Sequence, residues 1–268
     1  MYMKIYLLAA IITICLIVSS CKSRSKDPSP SSSVPILKGT LALHLHTYLD
    51  NNEIDGYTST GSEFIYTDEN DRKAGLTLAQ LYLSEISLIR LDGSMYAIQD
   101  TVILKTLDND VYMLGQVPIG NYRSIRFRLG FNASKNPQIL SGLGIYSRSE
   151  MWYNSSQQSD GYIFLNVQGK IDTSAAHNSS ISNIQPFKYQ IGAKAADSIF
   201  ITMPNKNFTV LNTQRLTFLH IIVDYNKIFN GIDLTNQNNL QVINPEDNNT
   251  TLAKNIVKNI PSMFVYEQ

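Results

Sequence analysis

The chain has 268 residues, and its 22 Lys and Arg balance 22 Asp and Glu, so the formal net charge is zero. A nucleic-acid binder needs a basic footprint, which this balance does not supply. The only cysteines, Cys15 and Cys21, both lie near the N-terminus, so the remainder of the chain carries no disulfide, thiolate metal site or cysteine nucleophile. Its length is enough to bury a core without such staples.

The first 20 residues read as a secretory signal sequence. Lys4 precedes the apolar run Leu7-Leu8-Ala9-Ala10-Ile11-Ile12-Thr13-Ile14, which is too short and too N-terminal for a spanning helix of the mature protein. Leu16-Ile17-Val18-Ser19-Ser20-Cys21, with a small residue before the cysteine, resembles a bacterial lipobox. That resemblance implies cleavage before Cys21, lipidation of Cys21 and export. The protein is then expected in the cell envelope, held by its lipid on a membrane, with the outer membrane facing the periplasm as the expected place. Residues 21–36 contain Lys22-Ser23-Arg24-Ser25-Lys26-Asp27-Pro28-Ser29-Pro30-Ser31-Ser32-Ser33, a Ser/Pro composition that reads as a flexible tether. Residues 37–268 read as one domain.

From Leu37 onward the dominant period is two, with Tyr, Phe, Ile, Val and Thr enriched, which predicts strands. Gly39 to Tyr48 places Leu41, Leu43 and Leu45 on one face. Leu78 to Leu91 is a long apolar run closed by the turn signal Asp92-Gly93. Val111 to Val117 stops at Pro118-Ile119-Gly120. Tyr122 to Phe131 sets Ile125, Phe127 and Leu129 against Arg126 and Arg128. Gly161 to Gly169 aligns Ile163, Leu165 and Val167. Phe187 to Ile191 and Ser198 to Thr202 are shorter strands. Leu216 to Tyr225, apolar on both faces, reads as a central buried strand. Thr250 to Ile260 changes period: Leu252, Ile256, Val257 and Ile260 fall at helical spacing, Asn249 or Thr250 caps the start and Pro261 ends it. The expected fold is all-β, an antiparallel β-sandwich with a short C-terminal helix. The long polar stretches Asn132 to Asp160 and Ile171 to Gln185 are the places where loops could carry function.

Several segments, in this order, resemble the MbnP-like family of periplasmic copper-binding proteins. They are the opening strand Gly39 to His46; Leu81-Tyr82-Leu83-Ser84-Glu85-Ile86-Ser87-Leu88 with Asp92-Gly93; Val117-Pro118-Ile119-Gly120-Asn121-Tyr122 through Asn132, with Asn136; Met151-Trp152 followed by Gly161-Tyr162-Ile163-Phe164-Leu165 and Gly169; Phe187 to Gly192; Val223-Asp224-Tyr225-Asn226-Lys227-Ile228-Phe229; and Ala253 to Phe264. The resemblance implies a β-sandwich, an extracytoplasmic role and a copper ion held by histidines and a Trp, which a partner dihaem cytochrome c peroxidase oxidises in some members. On this chain the Trp is Trp152, a candidate oxidation or binding residue. The sequence departs from the family at Gln190, where a histidine is usual, at Asn154, and in the spacing of Met151 and Trp152.

His44 and His46 form the sharpest local constellation. Two residues apart on a strand, they share a face, roughly 7 Å from one another. Neutral imidazoles suit copper or zinc, and a third ligand has to come from elsewhere; the same pattern also fits the solvent face of an amphipathic strand. His177, in the loop Ala175-Ala176-His177-Asn178-Ser179, reads as solvated. His220, inside Leu219-His220-Ile221-Ile222, reads as a hydrogen-bonded core residue. Trp152 between Met151 and Tyr153 equally fits an apolar anchor. Asp68, Glu69, Asn70 and Asp71 lack the alternation of a calcium loop and read as a solvated turn. No Gly-x-Ser-x-Gly elbow, His-Glu-x-x-His or phosphate loop occurs. The expectation is a non-enzymatic binding protein that holds or hands over copper. The alternative is a metal-free module that binds a peptide, glycan or partner protein through loops around Met151 to Asp160.

Overall fold

A computed structural model of the chain describes residues 36–54, 66–67, 72–130, 132, 144–146, 148–155, 158–177, 181–192, 196, 199–212, 215–243 and 250–268. The signal sequence, Cys21, the tether up to residue 35, the acidic run Asp68 to Asp71 and much of the 132–160 loop lie outside the described residues. In chain order the strands are β1 (Lys38–Leu49), β2 (Asn52–Glu53), β3 (Tyr66–Thr67), β4 (Lys73–Arg90), β5 (Met95–Ala97), β6 (Ile103–Lys105), β7 (Val111–Pro118), β8 (Gly120–Leu129), β9 (Trp152–Ser155) and β10 (Gln158–Asp172). They continue as β11 (Ile184–Gly192), β12 (Phe200–Thr202), β13 (Phe208–Val210), β14 (Thr217–Asp224), β15 (Gln241–Val242) and β16 (Phe264–Tyr266), with helix α1 (Thr251–Asn259) ahead of β16. Among the described residues no helix is long and apolar enough to cross a membrane.

The strands form two sheets, and the fold is the expected all-β sandwich. The smaller sheet runs β16-β14-β1-β2, with β7 also paired to β1. The larger has the spine β12-β8-β4-β10-β11-β15, with shorter strands attached along β4, β8 and β10. Pairing is antiparallel apart from β1 with β14 and β11 with β15, which run parallel. The parallel pair matters most, because it sets residues 41–48 of β1 level with 217–224 of β14 across eight positions.

Alternation explains the packing. Leu41, Leu43 and Leu45 of β1 and Leu219, Ile221 and Val223 of β14 turn inward and are buried. They face a second inner layer that includes Ile125, Phe127 and Leu129 of β8. Phe127 meets Phe264 of β16 with 5.1 Å between ring centroids, joining the two layers. Each such side chain contributes about 1.5–3 kcal/mol on burial. In β4 a bulge lies between Ser84 and Ser87. Glu85 there takes φ 48° and sends its carboxylate to Arg128 Nε at 3.0 Å, as bulges do when they re-aim a side chain.

One expectation is corrected. The Leu216 to Tyr225 stretch is not buried on both faces: in β14 Phe218 is exposed and His220 and Ile222 are partly exposed. The strand is interior in the sheet order yet covered on one side only. Helix α1 starts as expected, with the Thr250 hydroxyl accepting from the Ala253 N–H at 3.1 Å. Ala253, Ile256 and Ile260 are buried. Asn259 Nδ2 donates to the carbonyls of Ile228 and Asn230. A short 3₁₀ turn, Ile260–Met263, then feeds the chain into β16 beside β14.

Candidate metal centre

The outer face of the smaller sheet collects three histidines. His44 and His46 point away from the leucines of β1, and the parallel register sets His44 directly opposite His220. The rings lean together: centroids of His44 and His46 are 3.8 Å apart, and those of His44 and His220 are 4.8 Å apart. One donor atom from each of the three lies within 4.8 Å of the others. His46 Nε2 and His220 Nδ1 approach to 3.2 Å. His46 is buried, whereas His44 and His220 are partly exposed, so an ion has a path from solvent.

Carboxylates fix two of these rings from behind. Asp110 Oδ2 lies 2.9 Å from His44 Nε2, and Glu53 Oε1 lies 3.0 Å from His46 Nδ1. An ionised carboxylate only accepts, so each of those nitrogens carries the proton and donates. His44 therefore keeps Nδ1, and His46 keeps Nε2, as the lone-pair nitrogen. This is the arrangement by which outer carboxylates set the tautomer and raise the basicity of metal-binding histidines.

Local structure delivers both acids. Buried Lys105 donates to the carbonyls of Thr106 and Asn109 at 2.9 and 3.0 Å, shaping the turn that ends at Asp110. The Asp110 carbonyl accepts from Leu45 N–H at 2.7 Å, locking that turn to β1. Glu53 sits on the β1–β2 hairpin, where Asp50 takes φ 57° and donates its N–H to Asp224 Oδ1 at 2.8 Å.

A third carboxylate stands in front. Glu267 follows β16, and its Oε2 is 3.1 Å from His220 Nδ1 and 3.5 Å from His46 Nε2. The hydrogen bond from His44 holds Asp110 below the usual carboxylate range. Burial, with the neighbouring imidazole of His44, pushes His220 below the usual histidine range, while Glu267 pulls the other way. A neutral imidazole is the form that ligates. The donor set of imidazoles with outer carboxylates fits copper or zinc.

Of the residues the sequence singled out, His44 and His46 come together and are joined by His220 rather than by His177 or Trp152. The core reading of His220 is thereby corrected. Its neighbours Leu219 and Ile221 turn inward, which puts His220 outward with Phe218; the alternation was present but masked by apolar residues on both faces. His177 sits on another part of the molecule, its Nε2 2.6 Å from Arg72 Nη2. Its solvated reading gives way to that contact. Trp152 is partly buried and stands edge-on to Tyr162 at 4.8 Å, in an aromatic cluster that also includes Tyr82 and Tyr146. That is the apolar-anchor placement. Gln190 is buried in β11, opposite Asn166. The side chains of residues 154–160 lie outside the described set. Asp110, Glu53 and Glu267 carried no sequence signal, since each meets its histidine only through the fold.

One solved structure, MbnP from Methylosinus trichosporium, aligns at 15% identity with a TM-score of 0.48, covering 74% of this chain and 80% of that one. No curated protein matches the chain. The sequence model of the MbnP family matches residues 38–249, which is most of the chain, and the protein therefore belongs to the MbnP family.

Proposed function

We propose that this protein binds and handles a copper ion outside the cytoplasm, with His44, His46 and His220 as ligands. The observation that carries the reading is a convergence: three imidazoles meet on one sheet face, and two are oriented through their far nitrogens by Asp110 and Glu53. A merely solvated strand face does not need its histidines held in defined tautomers. The family supports copper as the ion. The signal sequence and Cys21 support export and lipid anchoring, which would hold the site near a membrane surface of the envelope. In this reading the protein is a carrier or holder rather than an enzyme. Trp152 serves packing in the unmodified chain, and a dihaem cytochrome c peroxidase partner would act on it separately.

The test is a copper titration of the purified protein against competing chelators. The reading expects one-to-one binding that His44→Ala, His46→Ala and His220→Ala each weaken by at least about 10-fold, on the scale of lost site interactions. Wild-type-like binding in all three variants would remove the site.

A further inference from the structure

Glu267 lies outside the stretch matched by the family, which ends at residue 249. Its position is set by the fold: α1 packs through Ala253 and Ile256, the 3₁₀ turn follows, and β16 pairs antiparallel with β14 so that Glu267 N–H donates to the His220 carbonyl at 3.3 Å. The side chain reaches over the histidines. His46 Nε2, His220 Nδ1 and Glu267 Oε2 form a triangle with edges of 3.2, 3.1 and 3.5 Å. Nitrogen and oxygen ligands about 2.0–2.1 Å from a shared ion sit roughly 2.8–3.4 Å apart, from square-planar to tetrahedral geometry. The triangle thus has about the spacing of three ligand atoms around one ion, which on binding would replace the proton that His220 Nδ1 gives to Glu267 Oε2. His44, whose Asp110 bond leaves Nδ1 as the lone-pair nitrogen, stands beside that face.

We infer that Glu267 is a direct ligand of the ion, completing a three-histidine, one-carboxylate set that favours a dication, cupric copper, over cuprous copper. The inference rests on the metal-binding reading above. Two arguments support the preference. Carboxylate oxygen suits harder ions, whereas cuprous copper favours thiolate and thioether ligands. Charge points the same way: Glu267, Glu53 and Asp110 surround the imidazoles with carboxylates. The facing cation, Lys206, lies over the Tyr266 ring at 5.5 Å and bonds the Glu267 backbone carbonyl rather than its carboxylate. A bound dication offsets that negative charge better than a monocation.

The experiment titrates the purified protein and the Glu267→Gln and Glu267→Ala variants with cupric and with cuprous ion, each against a competing chelator, and records the electron paramagnetic resonance spectrum of the cupric forms. Glu267→Gln keeps the shape of the side chain, and the thermal midpoint without metal checks that each variant folds. The inference expects a loss of cupric affinity of about 10-fold or more in both variants, cuprous affinity within about threefold of wild type, and a changed cupric spectrum, on the scale of lost site interactions. Unchanged cupric affinity and spectrum, in a protein whose metal binding still depends on the three histidines, would overturn Glu267 as a ligand while leaving the histidine site intact. An equal loss for both oxidation states would overturn the preference. Binding insensitive to every histidine substitution would instead defeat the underlying metal reading.

Discussion

His44 and His220 lie directly across from one another on adjacent parallel strands, although 176 positions separate them, with 4.8 Å between their ring centroids. Parallel pairing demands a long crossover, and here every strand of the larger sheet except β15 is built between the two strands. A site assembled this way exists only when the sandwich is complete, so metal affinity reports on folding of the entire domain.

His220→Ala and His177→Ala should separate the two readings of the remaining histidines. The first should reduce copper affinity by about 10-fold or more, because it removes a group in the cluster; the second should leave it unchanged, because His177 faces Arg72. Chelator competition measures both. The opposite ranking would mean that the third ligand comes from the loop.

Asp110→Asn tests the outer carboxylate. The amide oxygen can still accept from His44 Nε2, but the negative charge that raises the basicity of the ring is gone. Copper affinity should fall by about 10-fold, with little change in the thermal midpoint, since the pair is partly exposed and exposed ion pairs contribute only about 0–1 kcal/mol. If stability falls and affinity holds, Asp110 is a structural residue only.

Lys105→Met should act at one remove. Lys105 is fully buried and its ammonium serves the Thr106 and Asn109 carbonyls. Methionine fills much of the volume but donates nothing, so the Thr106 carbonyl loses this donor while the Asn109 carbonyl keeps only the Tyr112 hydroxyl, which should cost about 1–3 kcal/mol by chemical denaturation. The turn that presents Asp110 should loosen, and metal affinity should fall with it. A variant as stable as wild type would show that water replaces the ammonium without penalty.

Asp224→Asn should show a pH-dependent gain. Burial raises the Asp224 carboxyl above its usual 3.8, against the pull of N–H donors from Asp50 and Asn226. The ionised form is therefore the disfavoured one in the fold: stability is fully present below the unfolded value and is lost as pH rises through the raised folded value. Asparagine keeps an oxygen acceptor and never ionises. The variant should match or exceed wild type at neutral pH, and the difference should shrink as pH falls through the raised value. Asp224→Ala, which removes the acceptor, should be destabilised throughout. Thermal midpoints across the acid range decide it; a wild type clearly more stable than Asp224→Asn at neutral pH would contradict the account.

The fold was largely legible because alternation is a local signal. Gly39 to Tyr48 became β1 (Lys38–Leu49), Tyr122 to Phe131 became β8 (Gly120–Leu129), and Thr250 caps α1 as its hydroxyl chemistry suggests. Half of the site was legible for the same reason, since His44 and His46 stand against an inward row of leucines. His220 was misread because Phe218 and Ile222 share its outward face, and an apolar run conceals which side is covered. Asp110, Glu53 and Glu267 were beyond reach: the first depends on the turn held by Lys105, the second on the hairpin at Asp50, the third on where α1 releases the chain. Each is a tertiary placement with no periodic trace in the sequence.

The most direct measurement is anomalous diffraction at the copper edge from copper-loaded crystals. The account predicts one strong peak on the outer face of the smaller sheet, about 2 Å from a nitrogen of each of His44, His46 and His220. A peak beside Trp152, or ordered protein with no peak among the three histidines, would contradict it.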